Sequence, residues 1–225
     1  MKKTIIILLL LLCYCSTSIA LAATWEVATT DSAGNIYYVD TSNITYAKDT
    51  ITFWVKKDFL DPSKNDSGAT TYVWQTEVNL TDYTYRFSNR TTHYPDGVLS
   101  NNPLAGEYMD IHADSYAACY IGKAIVAYLD TQTWQESKYS RSICKPHRDS
   151  NGNILYWEKY YSREENTYVF SQYSPTTRMR QTFIMITNKN QTYLLFSWVG
   201  QENYVKPGEG LDQIITQVIQ SLPPL

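Results

Sequence analysis

The sequence predicts an α+β fold, in which antiparallel β-sheet is combined with two helices. Composition favours strands, since the 225 residues include 20 tyrosines and six tryptophans, and such side chains fit a pleated surface with one solvated face. Apolar and polar residues alternate in short segments bounded by turn residues, as they do in half-buried strands. Two other segments repeat apolar residues at helical spacing, which predicts a helix near residues 115–129 and a C-terminal amphipathic helix near 209–222.

The first half of the chain reads as strands joined by hairpin turns. Five strands are predicted, and they cover residues 25–30, 36–40, 51–59, 71–80 and 83–94. In the third strand, period-2 alternation places Phe53, Val55 and Lys57 on one face and Trp54 on the other. The last strand has an aromatic face formed by Tyr83, Tyr85 and Phe87.

The predicted first helix follows a segment, residues 100–106, that reads as a loop. Asp114 or Ser115 is suited to be its N-cap, because a short polar side chain can accept a hydrogen bond from the first turn. From residue 116 to residue 129 the apolar residues recur at helical spacing. The high alanine and tyrosine content favours a helix that packs flat against a sheet.

The second half repeats the pattern of strands followed by a helix. Strands are predicted over residues 154–161, 167–173, 178–187 and 193–199. The apolar stripe of the C-terminal helix consists of Leu211, Ile214, Ile215, Val218, Ile219 and Leu222. This order fits two small α+β units, or one sheet with two helices on a face. We divide the chain into residues 1–22, a first α+β domain at 23–130, and a second α+β segment at 131–225.

The N-terminus has the features of a secretory signal peptide. Lys2 and Lys3 form a positive head, and an unbroken apolar run covers residues 5–12. Small residues at Ala20 and Ala22 predict cleavage after Ala22. The apolar run is shorter than the roughly 20 residues that span a bilayer, so no transmembrane anchor is expected after cleavage. The protein is therefore expected to be exported, to the periplasm or to the cell surface and medium.

Four cysteines are present, and two of them lie in the signal peptide. The mature chain keeps Cys119 and Cys144. In an oxidising compartment, two cysteines with none left over suggest one disulfide. The alternative is two free buried thiols.

Sequence motifs for catalysis or metal binding are absent. His93, His112 and His147 include no two histidines at metal-ligand spacing, and no nucleophile-elbow motif occurs. Cys144 and His147 could be interpreted as a catalytic nucleophile and its general base, but a disulfide or a surface loop is the simpler interpretation. Adjacent carboxylates such as Glu164 and Glu165 point to opposite faces of a strand. We therefore expect a non-enzymatic protein with no catalytic residues, no metal site and no cofactor.

Several short motifs in the first half occur together in the order of a known family. They are Trp25-Glu26-Val27, residues 34–44, Phe53-Trp54-Val55, Tyr85-Arg86, residues 94–99 and residues 111–115. Through them, about residues 24–130 resemble the surface-adhesin E-like family of small exported bacterial proteins. The resemblance implies an antiparallel sheet with a helix packed on it, and an adhesin role. Members often have a cysteine where this chain reads Glu77-Val78-Asn79, so the family's disulfide does not carry over.

These observations together predict a class of function rather than a ligand. We expect an exported bacterial protein that binds a host or cell-surface macromolecule, or an envelope protein, through sheet edges and exposed aromatic side chains. The alternative is a periplasmic structural or accessory module that self-associates along an edge strand, for example as a homodimer. Nucleic acid is not an expected partner, because the net charge is −3 and no basic block occurs.

Overall fold

The computed structural model describes residues 22–103, 106–136, 141–161, 166–177, 179–187 and 198–201. These residues form two antiparallel sheets, one α-helix and a short 3-10 turn at Pro62–Lys64. Antiparallel sheet with a packed helix belongs to the α+β class, as the sequence predicts. Residues 1–21 of the predicted signal peptide and the predicted C-terminal helix at 209–222 lie outside the described residues.

The first sheet contains eight strands, each paired antiparallel to its neighbours. They are β1 (Trp25–Thr30), β2 (Ile36–Asp40), β3 (Thr45–Ala47), β4 (Thr50–Asp58), β5 (Thr71–Asn79), β6 (Thr84–His93), β7 (Leu99–Asn102) and β8 (Met109–Asp110). The spatial order β1-β2-β4-β5-β6-β7 follows the chain, while β3 pairs with β4 and β8 pairs with β6. The β1–β2 turn depends on Gly34, whose φ of +82° is a conformation that glycine adopts without strain.

Helix α1 (Tyr116–Asp130) lies across the inner face of the first sheet. Ser115 is its N-cap, and the Ser115 hydroxyl accepts a hydrogen bond from the Ala118 amide at 3.1 Å. The alternation in β4 buries Ile51, Phe53 and Val55 on the face toward the helix, and Phe53 and Val55 share one face as predicted. Burying such side chains is the main favourable term in folding.

The second sheet is a six-stranded antiparallel meander that follows the helix. Its strands are β9 (Gln135–Glu136), β10 (Arg141–Arg148), β11 (Ile154–Tyr161), β12 (Asn166–Ser174), β13 (Met179–Thr187) and β14 (Trp198–Gln201). On one face the rings of Trp157 and Phe170 pack together, with centroids 5.1 Å apart. On the other face Glu158 and Arg180 form a buried ion pair, and Arg180 Nε also donates to the Ser171 hydroxyl at 3.2 Å.

Both sheets contribute to one hydrophobic cluster with α1 in it. Near the C-terminus of the helix, the Tyr168 hydroxyl donates to Asp130, and the Tyr168 and Trp134 rings lie 5.7 Å apart. A second contact joins His147 Nε2 of β10 to Asp49 Oδ1 in the β3–β4 turn, at 2.6 Å. The second sheet therefore packs against the helix and one turn of the first sheet.

One predicted loop is wrong. Residues 100–106 were expected to form a loop, but Ser100 and its two successors belong to β7, where Ser100 pairs with Thr92. The four residues of β7 are mostly polar and exposed, so they lack the apolar alternation that reveals a half-buried strand. Backbone pairing with β6, rather than burial of side chains, defines this strand.

Candidate ligand-binding cleft

A cleft of about 530 Å³ lies where the inner face of the first sheet extends beyond the start of α1. Its size falls in the range of pockets that bind small molecules or peptide side chains. Most of the described residues that line it are aromatic: Tyr37, Phe59, Tyr72, Trp74, Tyr85, Phe87, Tyr116 and Tyr120. The others are Lys57, Arg90, Asn65, Ser115 and Ala117.

Cross-strand pairing assembles the floor of the cleft. Tyr37 of β2 pairs with Lys57 of β4, which pairs in turn with Tyr72 of β5. One step along, Trp74 of β5 pairs with Arg90 of β6. Directly opposed residues lie on the same face of a sheet with Cβ atoms about 4.5–5.5 Å apart. These five side chains therefore form two adjacent rows that open into one space.

The wall formed by the helix is a stack of tyrosine rings. The Tyr37 ring is nearly parallel to that of Tyr116, at 5.8 Å and 11°, and to that of Tyr120, at 6.2 Å and 19°. The Tyr116 hydroxyl accepts a hydrogen bond from the Ser32 amide at 3.1 Å, which fixes this ring although the residue is 43% exposed. Trp74 presents an edge to Tyr37 at 6.4 Å. The helix side of the cleft is thus built from stacked and edge-to-face ring contacts.

Lys57 is a neutralised cation in this site. Its Nζ lies 3.1 Å from Asp31 Oδ2 and over the rings of Tyr37 and Phe59, at 4.8 and 4.9 Å. Burial alone lowers the pKa of Lys57, but hydrogen bonds with Tyr37 and Asp31 and their charges raise it above its ordinary value. Lys57 is therefore charged, and its charge is balanced by a carboxylate.

The partner carboxylate is held by the β1–β2 turn. Burial raises the pKa of Asp31, but hydrogen bonds from the Asn35 side chain and amide, together with Lys57, outweigh it and lower the pKa. The Asn35 side chain donates to Asp31 Oδ2 at 3.0 Å, and the Asn35 amide donates to Oδ1 at 2.9 Å. The turn sequence therefore fixes the ionised state of this residue.

Arg90 reaches the cleft because β6 contains a β-bulge. Trp74 pairs with Arg90, but the next residue, Gln75, pairs with Ser88, so Asn89 is an extra residue in β6. Asn89 has a φ of +51°, the left-handed conformation that asparagine tolerates better than most residues. Without this extra residue, strict alternation would place Arg90 on the opposite face of the sheet.

Trp74 and Arg90 each carry a buried donor that finds no acceptor in the described part of the chain. The donors are Trp74 Nε1 and Arg90 Nε, and Trp74 is only 8% exposed. The Arg90 guanidinium lies over the Tyr72 ring at 5.1 Å. An unsatisfied buried donor costs about 1–3 kcal/mol. These two cross-strand neighbours thus define the place where an acceptor on a ligand would be most stabilised.

The predicted disulfide between Cys119 and Cys144 is absent, and both residues are free thiols. Cys119 is partly exposed near the start of α1, whereas Cys144 is buried in β10. Two cysteines whose Cα atoms are more than about 7 Å apart cannot be bridged without backbone movement.

The histidines that the sequence offers as candidate site residues lie apart from one another in the fold. His93 lies in β6, His112 is exposed before α1, and His147 contacts Asp49. Burial raises the pKa of Cys144, which disfavours the thiolate that a nucleophile needs. Among the described residues, no cluster of three or more histidine, cysteine or acidic side chains could hold a metal ion. Glu164 and Glu165 lie outside the described residues.

Only part of the cleft could be predicted from the sequence. The shared face of Phe53, Val55 and Lys57 is observed. The importance of Trp74 and Arg90 was missed, because the bulge that brings them together leaves no periodic signal. The only local signal is an asparagine in the middle of a strand, a residue type that strands disfavour.

Comparisons with known proteins leave the class of the protein open. No protein-family model matches the chain, and no curated protein matches it at a significant level. The resemblance to surface-adhesin E-like proteins therefore stays a prediction. Within the part of the chain that the structure describes, no helix combines the length and apolar character needed to cross a membrane.

Proposed function

We propose that this chain is an exported, non-enzymatic binding protein of the bacterial envelope, related to surface-adhesin E-like proteins. It uses the aromatic cleft to hold a ring-bearing group of its partner, for which we propose a peptide segment of a host, cell-surface or envelope protein. The single observation that supports this most strongly is the concentration of eight aromatic side chains around one open cleft.

The composition of the cleft favours binding over chemistry. Its described lining residues include no cysteine, histidine or carboxylate to act as nucleophile or general base. The one lining serine, Ser115, caps α1, and its hydroxyl already donates to the His112 carbonyl and accepts from the Ala118 amide. Ala117 is the one aliphatic side chain among the described lining residues. Aromatic walls give a large contact area at low entropy cost, since each ring has only two side-chain torsions.

Binding of a ring is tested with N-acetyl-tryptophan amide, a neutral probe, and with N-acetyl-leucine amide as the aliphatic control. Each is titrated into the mature chain, Ala23 to Leu225, while ¹H–¹⁵N NMR spectra are recorded. We expect the tryptophan probe to shift the Trp74 indole signal and the Lys57 and Tyr116 amides, with little effect from the leucine probe.

The Tyr116→Ala variant tests whether the cleft is the site, with Tyr108→Ala as a matched control. Both tyrosines are 43% exposed, but only Tyr116 lines the cleft. Loss of one ring contact is expected to weaken binding about 2- to 10-fold. Equal weakening by both substitutions, or no shift at cleft signals with millimolar probe, would contradict the proposal.

Export is tested independently of binding. Expression of the complete chain in a bacterium should yield an extracytoplasmic protein whose first residue is Ala23, as read by N-terminal sequencing. An uncut Met1 terminus on protein recovered from the cytoplasm would refute this part of the proposal.

A further inference from the structure

Two neighbouring residues of the cleft, Trp74 and Arg90, each carry a buried donor without an acceptor among the described residues. Trp74 and Arg90 are direct partners across β5 and β6, and Trp74 Nε1 and Arg90 Nε have no hydrogen-bond partner among the described residues. The Arg90 guanidinium lies over the Tyr72 ring at 5.1 Å. A planar guanidinium edge matches the two oxygens of a carboxylate better than it matches a single neutral carbonyl.

The charge of the cleft also favours an anion. Lys57 is balanced by Asp31, at 3.1 Å. Arg90 forms no ion pair with any described residue, so among the described lining residues one positive charge has no carboxylate in contact. Helix α1 begins at the same place and has no acidic residue in its first turn, so the positive end of its dipole adds to this charge.

A second arginine on the same strand has a carboxylate partner, although its Nε, like Arg90 Nε, has no hydrogen-bond partner among the described residues. Arg86, on the opposite face of the sheet, pairs with Glu77, and its Nη2 lies 2.8 and 2.9 Å from the two carboxylate oxygens. The Arg86 guanidinium also lies over the Tyr108 ring at 4.7 Å. Arg90 has the equivalent ring in Tyr72 and lacks the carboxylate.

We infer that the ligand of this cleft is an aromatic group bearing a carboxylate, with the ring among the tyrosines and the carboxylate accepting hydrogen bonds from Trp74 and Arg90. This inference rests on the proposed function, because it names the chemistry of the group held in the same cleft. The aromatic part lies beside Tyr37 and Tyr116, which line the same cleft as Arg90. The carboxylate compensates the charge of Arg90.

Two probes of similar shape distinguish the contribution of the carboxylate to binding from that of the ring. N-acetyl-tryptophan has the carboxylate, and N-acetyl-tryptophan amide does not. By calorimetry or NMR titration, the mature chain should bind the acid about 10-fold more tightly than the amide, which is the size of one charge-assisted hydrogen bond. The preference should decrease as salt is raised, since the cleft is open to solvent.

Variants assign that preference to the two donors. Arg90→Gln should remove most of the preference for the acid and leave binding of the amide nearly unchanged, while Arg86→Gln, on the other face, should change neither. Trp74→Phe keeps a ring and removes the N–H, so it should reduce the preference in part. Arg90→Lys keeps the charge without the planar edge and serves if Arg90→Gln unfolds, as judged by thermal melting.

One more pair of probes distinguishes the two sources of the carboxylate, the C-terminus of a protein and a free aromatic acid. A tetrapeptide with three alanines followed by a C-terminal tryptophan is compared with its C-terminal amide. Binding of the peptide acid at least as tight as that of N-acetyl-tryptophan indicates the C-terminus of a protein. Markedly weaker binding of the peptide indicates a free aromatic acid.

The outcomes distinguish this inference from the proposed function. If the acid and the amide bind equally in the cleft, the carboxylate inference is wrong and ring binding stands. If Arg86→Gln lowers the preference as much as Arg90→Gln, the assignment to Arg90 is wrong. If neither probe perturbs the cleft, both proposals fail.

Discussion

Replacing Asn89 by valine tests whether a single left-handed residue maintains the bulge that directs Arg90 into the cleft. Asn89 is exposed and has a φ of +51°, so its contribution comes mainly from its backbone. The one side-chain hydrogen bond it donates goes to Gln75 Oε1 at 3.3 Å, on the surface. The substitution therefore changes the conformational preference of one residue while removing little packing.

The expected magnitude follows from that conformation. An L-residue with a Cβ loses roughly 1–2 kcal/mol in the left-handed region, and asparagine and glycine lose less. We expect Asn89→Gly to change the free energy of unfolding by no more than about 0.5 kcal/mol. Asn89→Ala should cost about 1 kcal/mol, and Asn89→Val about 2 kcal/mol because a β-branched side chain is the most restricted.

Urea unfolding followed by fluorescence measures this series. The midpoint should fall from glycine to alanine to valine with an unchanged slope, which indicates a change in stability alone. Thr84→Val is the control, since Thr84 lies on the same strand in ordinary extended backbone and valine favours strands. Equal midpoints for the glycine and valine variants would refute the reasoning, and with it the bulge as the cause of the Arg90 orientation.

Three further predictions concern the thiols, one turn and the second sheet. In folded mature protein a maleimide should label Cys119, which is partly exposed, and should leave Cys144, which is buried, unlabelled. After unfolding without a reductant, both cysteines should be labelled. The pKa of Asp31 is lowered in the folded state, so its stabilising effect is present above pH 3.8 and lost as the pH falls through the folded value. Asp31→Asn should therefore make the urea midpoint less dependent on pH below 4. Glu158→Leu should destabilise by about 3–5 kcal/mol because it removes the buried carboxylate paired with Arg180, and the double variant with Arg180→Leu should cost less than the single one.

Each of these has a result that contradicts it. Protein that yields no free thiol after unfolding would show the disulfide. A pH profile of Asp31→Asn that parallels the native one would show that this carboxylate does not couple folding to protons. A double variant less stable than Glu158→Leu would show that the ion pair is not the source of the loss.

Much of the sheet can be predicted from the sequence because a strand with one buried face alternates apolar and polar residues. β1, β2 and β11 occupy the predicted residues, and the N-cap of α1 is Ser115, one of the two candidates. Alternation works where one face is buried and the other is solvated. It fails in β7, where hydrogen bonds to β6 define the strand and the side chains are exposed.

The cleft was less accessible to prediction because it depends on pairings between distant residues. Alternation predicts that Lys57 shares a face with Phe53 and Val55, but its partner Asp31 belongs to a segment that the sequence identifies only as a turn. Arg90 lies after a bulge, and one inserted residue reverses the face of every side chain that follows. The number of cysteines suggested a disulfide, but pairing depends on how α1 and β10 lie in space, and both thiols are free.

The burial of most of helix α1 limits which of its residues can change during evolution. Nine of its 15 residues are buried, and they include the small residues Ala118, Gly122 and Ala124, where a larger side chain is expected to destabilise the packing. The partly exposed or exposed positions fall mainly on one strip, at residues 116, 119, 123, 127 and 130. Neutral substitutions in related chains should therefore accumulate along that strip, and the rest of the helix should change only together with a compensating change in one of the sheets.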